Sequence, residues 1–182
     1  MADYSPVYEG DREARERYVR DLFRRVARRY DFLNRFLSLR QDVRWRRFAA
    51  REARLRPGDW AIDLATGTGD LALELARYVG NGRVFGLDFV PEMLEIARRK
   101  AKRHPAGRAC HFIQGNALEI PFARSTFRAA TIAFGLRNVA DRRACLKEMA
   151  RVVEPGGRVL VLELSHPVWP VFREIYQFYF HG

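Results

Sequence analysis

Cysteine, lysine and long apolar runs are all scarce in this 182-residue chain. The two cysteines, Cys110 and Cys145, stand far apart with no Cys-x-x-Cys spacing. That argues against structural disulfides and a zinc site, and it fits a reducing cytoplasm. His104, His111, His166 and His181 form no ligand pair at helical spacing, so no metal is expected. The longest apolar runs, such as Val159–Leu162, are strand-sized, and the N-terminus carries no apolar signal core. Membrane contact is therefore expected to be peripheral, by a cytoplasmic protein at the inner face of the cell membrane.

Lysine occurs only at Lys100, Lys102 and Lys147, although the chain holds 33 Lys and Arg and a formal net charge of +11. The positive charge is thus almost all arginine. A composition-wide arginine bias accounts for much of it, but the excess concentrates between Arg12 and Arg56 and is expected to form a basic face. Nucleic acid is not the expected partner, because no cluster of exposed aromatics is legible among these arginines to stack bases.

What is present is a change of pattern. From Arg12 a helical period places Val19, Leu22, Phe23, Val26, Ala27 and Tyr30 on one face. A second helical stretch runs from about Val43 to Leu55 and stops at Pro57-Gly58. Beyond it, strands at Trp60–Leu64, Arg83–Leu87, Ala109–Gln114, Ala129–Phe134 and Arg158–Leu164 alternate with helices. One helix carries Leu71, Leu75, Ala76 and Val79 up to Asn81-Gly82. Another starts at Pro91, a third covers Arg142–Val153, and an aromatic helix over Val168–Phe180 ends the chain. The pattern predicts an α/β fold, a Rossmann-like, doubly wound and mostly parallel sheet. The length fits one domain, with residues 1–56 as a basic helical segment packed on a core of 57–182.

In such sheets ligands bind beyond the carboxyl ends of the strands, at the switch point. Asp63-Leu-Ala-Thr66-Gly67-Thr68-Gly69-Asp70 falls there. Its glycines let backbone amides approach a ligand, and the following helix offers its N-terminal dipole to an anion. Asp88 ends the second strand, where an acid accepts both hydroxyls of a ribose. This spacing also satisfies a nicotinamide dinucleotide fingerprint through Gly67-x-Gly69-x-x-Ala72. Two features favour S-adenosylmethionine instead. Asp63 is a carboxylate suited to a cationic amino-acid ligand, and Asn116-Ala117 follows the third strand where an adenine edge would lie.

Three ordered stretches are more specific. They are Tyr30-Asp31-Phe32-Leu33-Asn34 with Leu37-Ser38 and Trp45; Phe134-Gly135-Leu136-Arg137-Asn138; and Arg151–Arg158 running into Leu162-Glu163-Leu164-Ser165. Over about residues 17–180 the chain resembles the C-methyltransferase family of menaquinone and ubiquinone biosynthesis. The resemblance implies methyl transfer from S-adenosylmethionine to a ring carbon of a reduced polyprenyl quinone. It implies cofactor contacts at Thr68, Asp88, Asn116 and Ala117. The chain departs from the family's pattern at Ala133, commonly Ser, at Asp42, commonly His, and at Leu33, commonly Met.

The expected cofactor set is therefore Asp63, Thr66, Gly67, Thr68, Gly69, Asp88, Asn116, Ala117 and Ala133. The expected catalytic set is Arg137 as partner of the phenolate oxygen, with Asn138 and Tyr30 orienting the quinol. The base is open between water, Asp31 and His166. The family also implies a C-terminal β-hairpin and seven strands, where five are legible here. The fifth strand is thus expected to need cover, from self-association into a homo-oligomer or from the final helix. Methylation of RNA or of another small molecule, and donor binding without catalysis, are the alternative functions.

Overall fold

The structure, a computed structural model, describes residues 12–163. Two helices come first, α1 (Arg12–Leu37) and α2 (Gln41–Glu52). After Pro57-Gly58 the chain alternates: β1 (Trp60–Leu64), α3 (Asp70–Leu75), β2 (Arg83–Asp88), α4 (Pro91–Arg103), β3 (Cys110–Gln114), β4 (Phe127–Ala133), α5 (Arg142–Val152) and β5 (Val153–Leu162). The five strands form one parallel sheet in the order β3-β2-β1-β4-β5. This is the Rossmann-like, doubly wound arrangement. The winding reverses between β1 and β4, so the carboxyl ends of these neighbours, Leu64 and Ala133, flank the switch point.

Strands buried on both faces need apolar cover on both. Leu71, Leu75, Val79, Val84 and Leu94 join Ala49 and Ala50 of α2, and Ala53 just beyond it, on one side. Ile62, Leu87, Phe127, Ile132, Cys145 and Met149 form the other. There Phe85, Phe122 and Phe127 meet edge-on, with ring centroids 4.9–5.8 Å apart.

Several boundaries differ from expectation. The helix after the glycine turn ends at Leu75 instead of near Asn81. The chain tightens into turns whose Val79 carbonyl accepts from both Gly58 and Gly82, although Val79 itself stays buried. At six residues α3 is too short for the anion-binding dipole ascribed to it. The last strand begins at Val153, which pairs with Phe127; Pro155-Gly156-Gly157 then bulges before Arg158 resumes the ladder opposite Ala129. Gly157 is required there, since a Cβ would lie 2.5 Å from Val153 Cγ1. On α1, Val19 and Ala27 are buried as expected, but Leu22 is exposed. Among the described residues no strand pairs with the outer edge of β5, where Val159 and Val161 are exposed. The aromatic helix expected at 168–180 and His166 lie outside the described residues.

The corner between α1 and α2 is unusual. Leu39 and Arg40 both have left-handed backbones (φ 48° and 63°), and Leu39 is 83% exposed. Phe36 at 69% and Phe48 at 55% are exposed near it, as is Trp45. These aromatics stand among Arg35, Arg40, Arg44, Arg47 and Arg51, all exposed. The expectation that no exposed aromatics accompany the arginine run is thereby corrected. Sequence periodicity hid them because α2 buries its alanines and Arg46 instead.

Candidate active site

The switch point opens into a cleft of about 300 Å³. Its two rims are built by strain. Ala65, just past β1, and Phe134, just past β4, both have positive φ (47° and 57°) without being glycine. The two turns approach so closely that a Cβ on Gly135 would stand 2.6 Å from Ala65 Cβ. Only glycine allows that approach.

Asp88 forms the floor of the cleft. Its Oδ2 accepts from the Gly67 amide at 2.7 Å and its Oδ1 from the Val90 amide at 2.9 Å. Burial pushes its carboxyl above the ordinary range. The walls carry Leu87, Phe89, Met93, Ala117 and Leu118, with Asn116 beside them. Asn116 Oδ1 accepts from the Leu118 amide at 3.0 Å, which sets the turn after β3. Gly67 has φ +56°, and a Cβ there would project toward the Tyr30 ring, 3.9 Å away. Tyr30, Phe23 and Val19 of α1 cover this side. A carboxylate beneath an apolar slot of this size suits a ribose carrying a flat heteroaromatic ring.

The expected cofactor residues divide. Gly67, Asp88, Asn116, Ala117 and Ala133 line the cleft, as do Tyr30 and Asn138 from the catalytic set. Asp63, Thr66 and Thr68 do not; they line a small recess beside it. Asp63 is 1% exposed, and its oxygens accept from Thr66 Oγ1 at 2.6 Å and Thr131 Oγ1 at 2.7 Å. It therefore clamps β1, β4 and the glycine turn together. Gly69 faces Ala97 and the Phe112 ring, so it serves packing rather than ligand approach. Thr68 Oγ1 donates to Asp31 Oδ1 at 2.5 Å.

Arg137 is the clearest displacement from expectation. It lies on a 3-10 turn (Leu136–Asn138), is exposed, and does not line the cleft. Its Nη1 donates to Glu163 Oε1 at 2.7 Å, and its backbone amide donates to Glu163 Oε2 at 3.3 Å. On so short a turn adjacent side chains diverge, and Asn138 is the one that reaches the cleft.

Two clusters escaped the sequence reading. Lys100 on α4 donates to Asp31 Oδ2 at 2.9 Å, to Thr68 Oγ1 at 3.1 Å and to Asp70 Oδ1, tying α1 to α4 and the glycine turn. Asp31 is thus held between Thr68 and a cation. The signal was available: Lys100 is one of three lysines in a chain that otherwise uses arginine. The second cluster is Arg46 with Asp42, at 2.5 Å and both buried. Ser38 Oγ also donates to Asp42 at 2.8 Å. Burial opposes the Asp42 carboxylate, but Ser38 and Arg46 outweigh it and hold the carboxyl below its usual range. The signal here was spacing, since Asp42, Arg46, Ala49 and Ala50 share one helical face.

Burial pushes the Asp63 carboxyl up to about 6 from an ordinary 3.8, against the pull of the two threonines and Arg46. Between those values the folded protein holds a proton that the unfolded chain lacks. This group's contribution to stability therefore falls as pH rises through that window, and it stays low above it. Asp63→Asn should abolish the fall. The difference in Tm between the native protein and Asp63→Asn should change by roughly 5–10 °C between pH 4 and pH 7. Parallel curves would show that Asp63 does not titrate in that range.

Comparison with known proteins agrees with this geometry. The profile of the ubiE/COQ5 methyltransferase family matches residues 11–182. The chain is 48% identical over 165 residues to a ubiquinone/menaquinone biosynthesis C-methyltransferase of Geobacter sp. strain M21, covering 89% of this chain and 69% of that protein. It is 43% identical over 169 residues to a demethylmenaquinone methyltransferase of Alkalihalophilus pseudofirmus, covering 92% and 71%. Among solved structures it is similar to YcgJ of Bacillus subtilis (TM-score 0.63, 27% identity), covering 74% of this chain and 56% of that one. A putative methyltransferase of Bacillus halodurans is similar too (TM-score 0.61, 25% identity, 71% and 55%). The chain thus spans just over half the length of these solved structures. The matching profile and these identities settle the family, and the cleft at the switch point is in keeping with it: the chain belongs to the ubiE/COQ5 methyltransferase family.

Proposed function

We propose that this protein transfers the methyl group of S-adenosylmethionine to a ring carbon of a reduced polyprenyl quinone precursor, demethylmenaquinol before a ubiquinone precursor. The observation that carries the reading is the cleft with Asp88 at its floor and Tyr30 and Asn138 on its walls. Relatives named as demethylmenaquinone methyltransferases support the substrate class.

S-adenosylmethionine, the cofactor of this family, supplies an electrophilic methyl carbon on a positive sulfonium. Asp88 would accept the ribose hydroxyls, while Asn116 and Ala117 would border the adenine. A quinol ring becomes nucleophilic as its phenolic proton passes to water and charge moves onto the neighbouring carbon, which gives up its own proton to water once methylated. The phenolic proton has an ordinary pKa of about 10, so the oxygen needs a donor to hold its growing charge. The Asn138 carboxamide would supply one, and the Tyr30 hydroxyl, also from the cleft lining, would orient the ring. Arg137 and Glu163 fix the turn that carries Asn138.

A polyprenyl tail dissolves in lipid, so the enzyme has to meet a bilayer. Among the described residues no helix is long and apolar enough to cross a membrane. The exposed corner at Phe36 and Leu39, ringed by arginines, suits peripheral contact with an anionic surface, at about 1 kcal/mol per basic residue close to it. One assay tests both parts. Labelled donor is incubated with demethylmenaquinol in anionic or neutral vesicles, or with RNA, and the products are identified. Methylated quinol should form fastest in anionic vesicles, with the rate falling steeply as salt rises. Label in RNA, or donor binding without any product, would replace this function. Equal rates in both vesicles at low salt would remove the electrostatic contact alone.

A further inference from the structure

The recess beside the cleft is ringed by charge of both signs. Asp63 and Asp70 stand on its wall, and Arg46 is the one cation among the described residues that line it. Recess and cleft share Tyr30, Ala65, Gly67 and Ala133 as lining, so they are continuous. Arg46 is only 7% exposed, and its guanidinium lies 5.2 Å over the Phe134 ring. Of its five N–H donors the contact with Asp42 uses Nη1. A buried guanidinium is costly, and one carboxylate at one edge leaves the rest of a planar fork for a second anion. A fork lining a small recess that shares its walls with the donor cleft complements a carboxylate.

We propose that Arg46 binds the α-carboxylate at the amino-acid end of the methyl donor, with Asp42 and the Phe134 ring holding its fork in place. The assignment rests on the donor reading above and adds the group that selects a donor with its carboxylate intact. Asp88 at the ribose and Arg46 at the carboxylate would then hold the donor at two points. Asp42 is a positioning residue in this arrangement, because it touches Arg46 rather than the ligand.

The test compares two ligands that differ only in that carboxylate: S-adenosylhomocysteine and its decarboxylated analogue, titrated by calorimetry at low salt. The native protein should prefer the carboxylate-bearing ligand roughly 10- to 100-fold, the range of a charge-assisted bond. Arg46→Gln should lose that preference, weakening S-adenosylhomocysteine while leaving the analogue within about threefold. Arg46→Lys should keep part of it. If Arg46→Gln fails to fold because Asp42 is left as an unpaired buried charge, the Asp42→Asn/Arg46→Gln double variant carries the same comparison. Equal weakening of both ligands, or no preference in the native protein, overturns the assignment and leaves Arg46 as a structural partner of Asp42. Binding of neither ligand by the native protein overturns the donor reading itself.

Discussion

Asn138→Ala is expected to lower turnover by roughly 100- to 1,000-fold while changing donor affinity by no more than a few-fold. That loss is the size seen when a single neutral donor to a developing oxyanion is removed. Asp88, Asn116, Ala117 and Arg46, the side chains assigned to the donor here, come from the ends of β2 and β3 and from α2, whereas Asn138 comes from the turn beyond β4. Rate and donor affinity should therefore separate. Arg137→Ala makes the contrast. It breaks the pair with Glu163 that sets the turn, so it should cost less than Asn138→Ala, and Glu163→Gln should resemble it. Single-turnover rates with saturating donor decide the order. If Arg137→Ala costs the full 100-fold and Glu163→Gln costs little, Arg137 leaves Glu163 to meet the substrate, and Asn138 is secondary.

Asp88→Ala should weaken donor binding by about 100-fold or more. Two ribose hydroxyls would lose a carboxylate acceptor, each contact being worth about 1.5–3 kcal/mol when charged. The Gly67 and Val90 amides would lose their partner as well, loosening the glycine turn. Asp88→Asn retains the shape and should recover part of the affinity. Direct titration with S-adenosylhomocysteine measures both. Near-native affinity in Asp88→Ala would place the ribose elsewhere and undo the orientation of the donor in the cleft.

Much of this was legible in the residues. The alternation of strands and helices, the switch-point glycines and Asp88 follow from period and spacing, which are properties of the chain itself. What failed did so for local or three-dimensional reasons. The helix after Gly69 stops at Leu75 because the Arg77 and Tyr78 amides take the Glu74 and Leu75 carbonyls in tight three-residue turns, which apolar spacing does not register. Arg137 and Asn138 are adjacent in sequence, and nothing there says which one a 3-10 turn sends inward. Asp63 reads as a ligand contact until Thr131, from a strand distant in sequence, is seen to occupy it. Lys100 and Arg46 matter through partners far along the chain or on a helix face, and composition reports them only as more positive charge.

The position of β1 also sets an order in time. Its first neighbour, β2, follows within a few tens of residues, but its second, β4, cannot exist until residue 133 has been made. Asp63 waits 68 positions for Thr131. Until then the acid that anchors the glycine turn has Thr66 alone, and β1 has an open edge. A chain emerging from the ribosome would thus assemble β1, β2 and β3 with Asp88 already at its strand end, and would settle the glycine turn only when β4 slots in. The cleft at the switch point is one of the last features to mature, so a nascent chain is a sheet before it has a cleft.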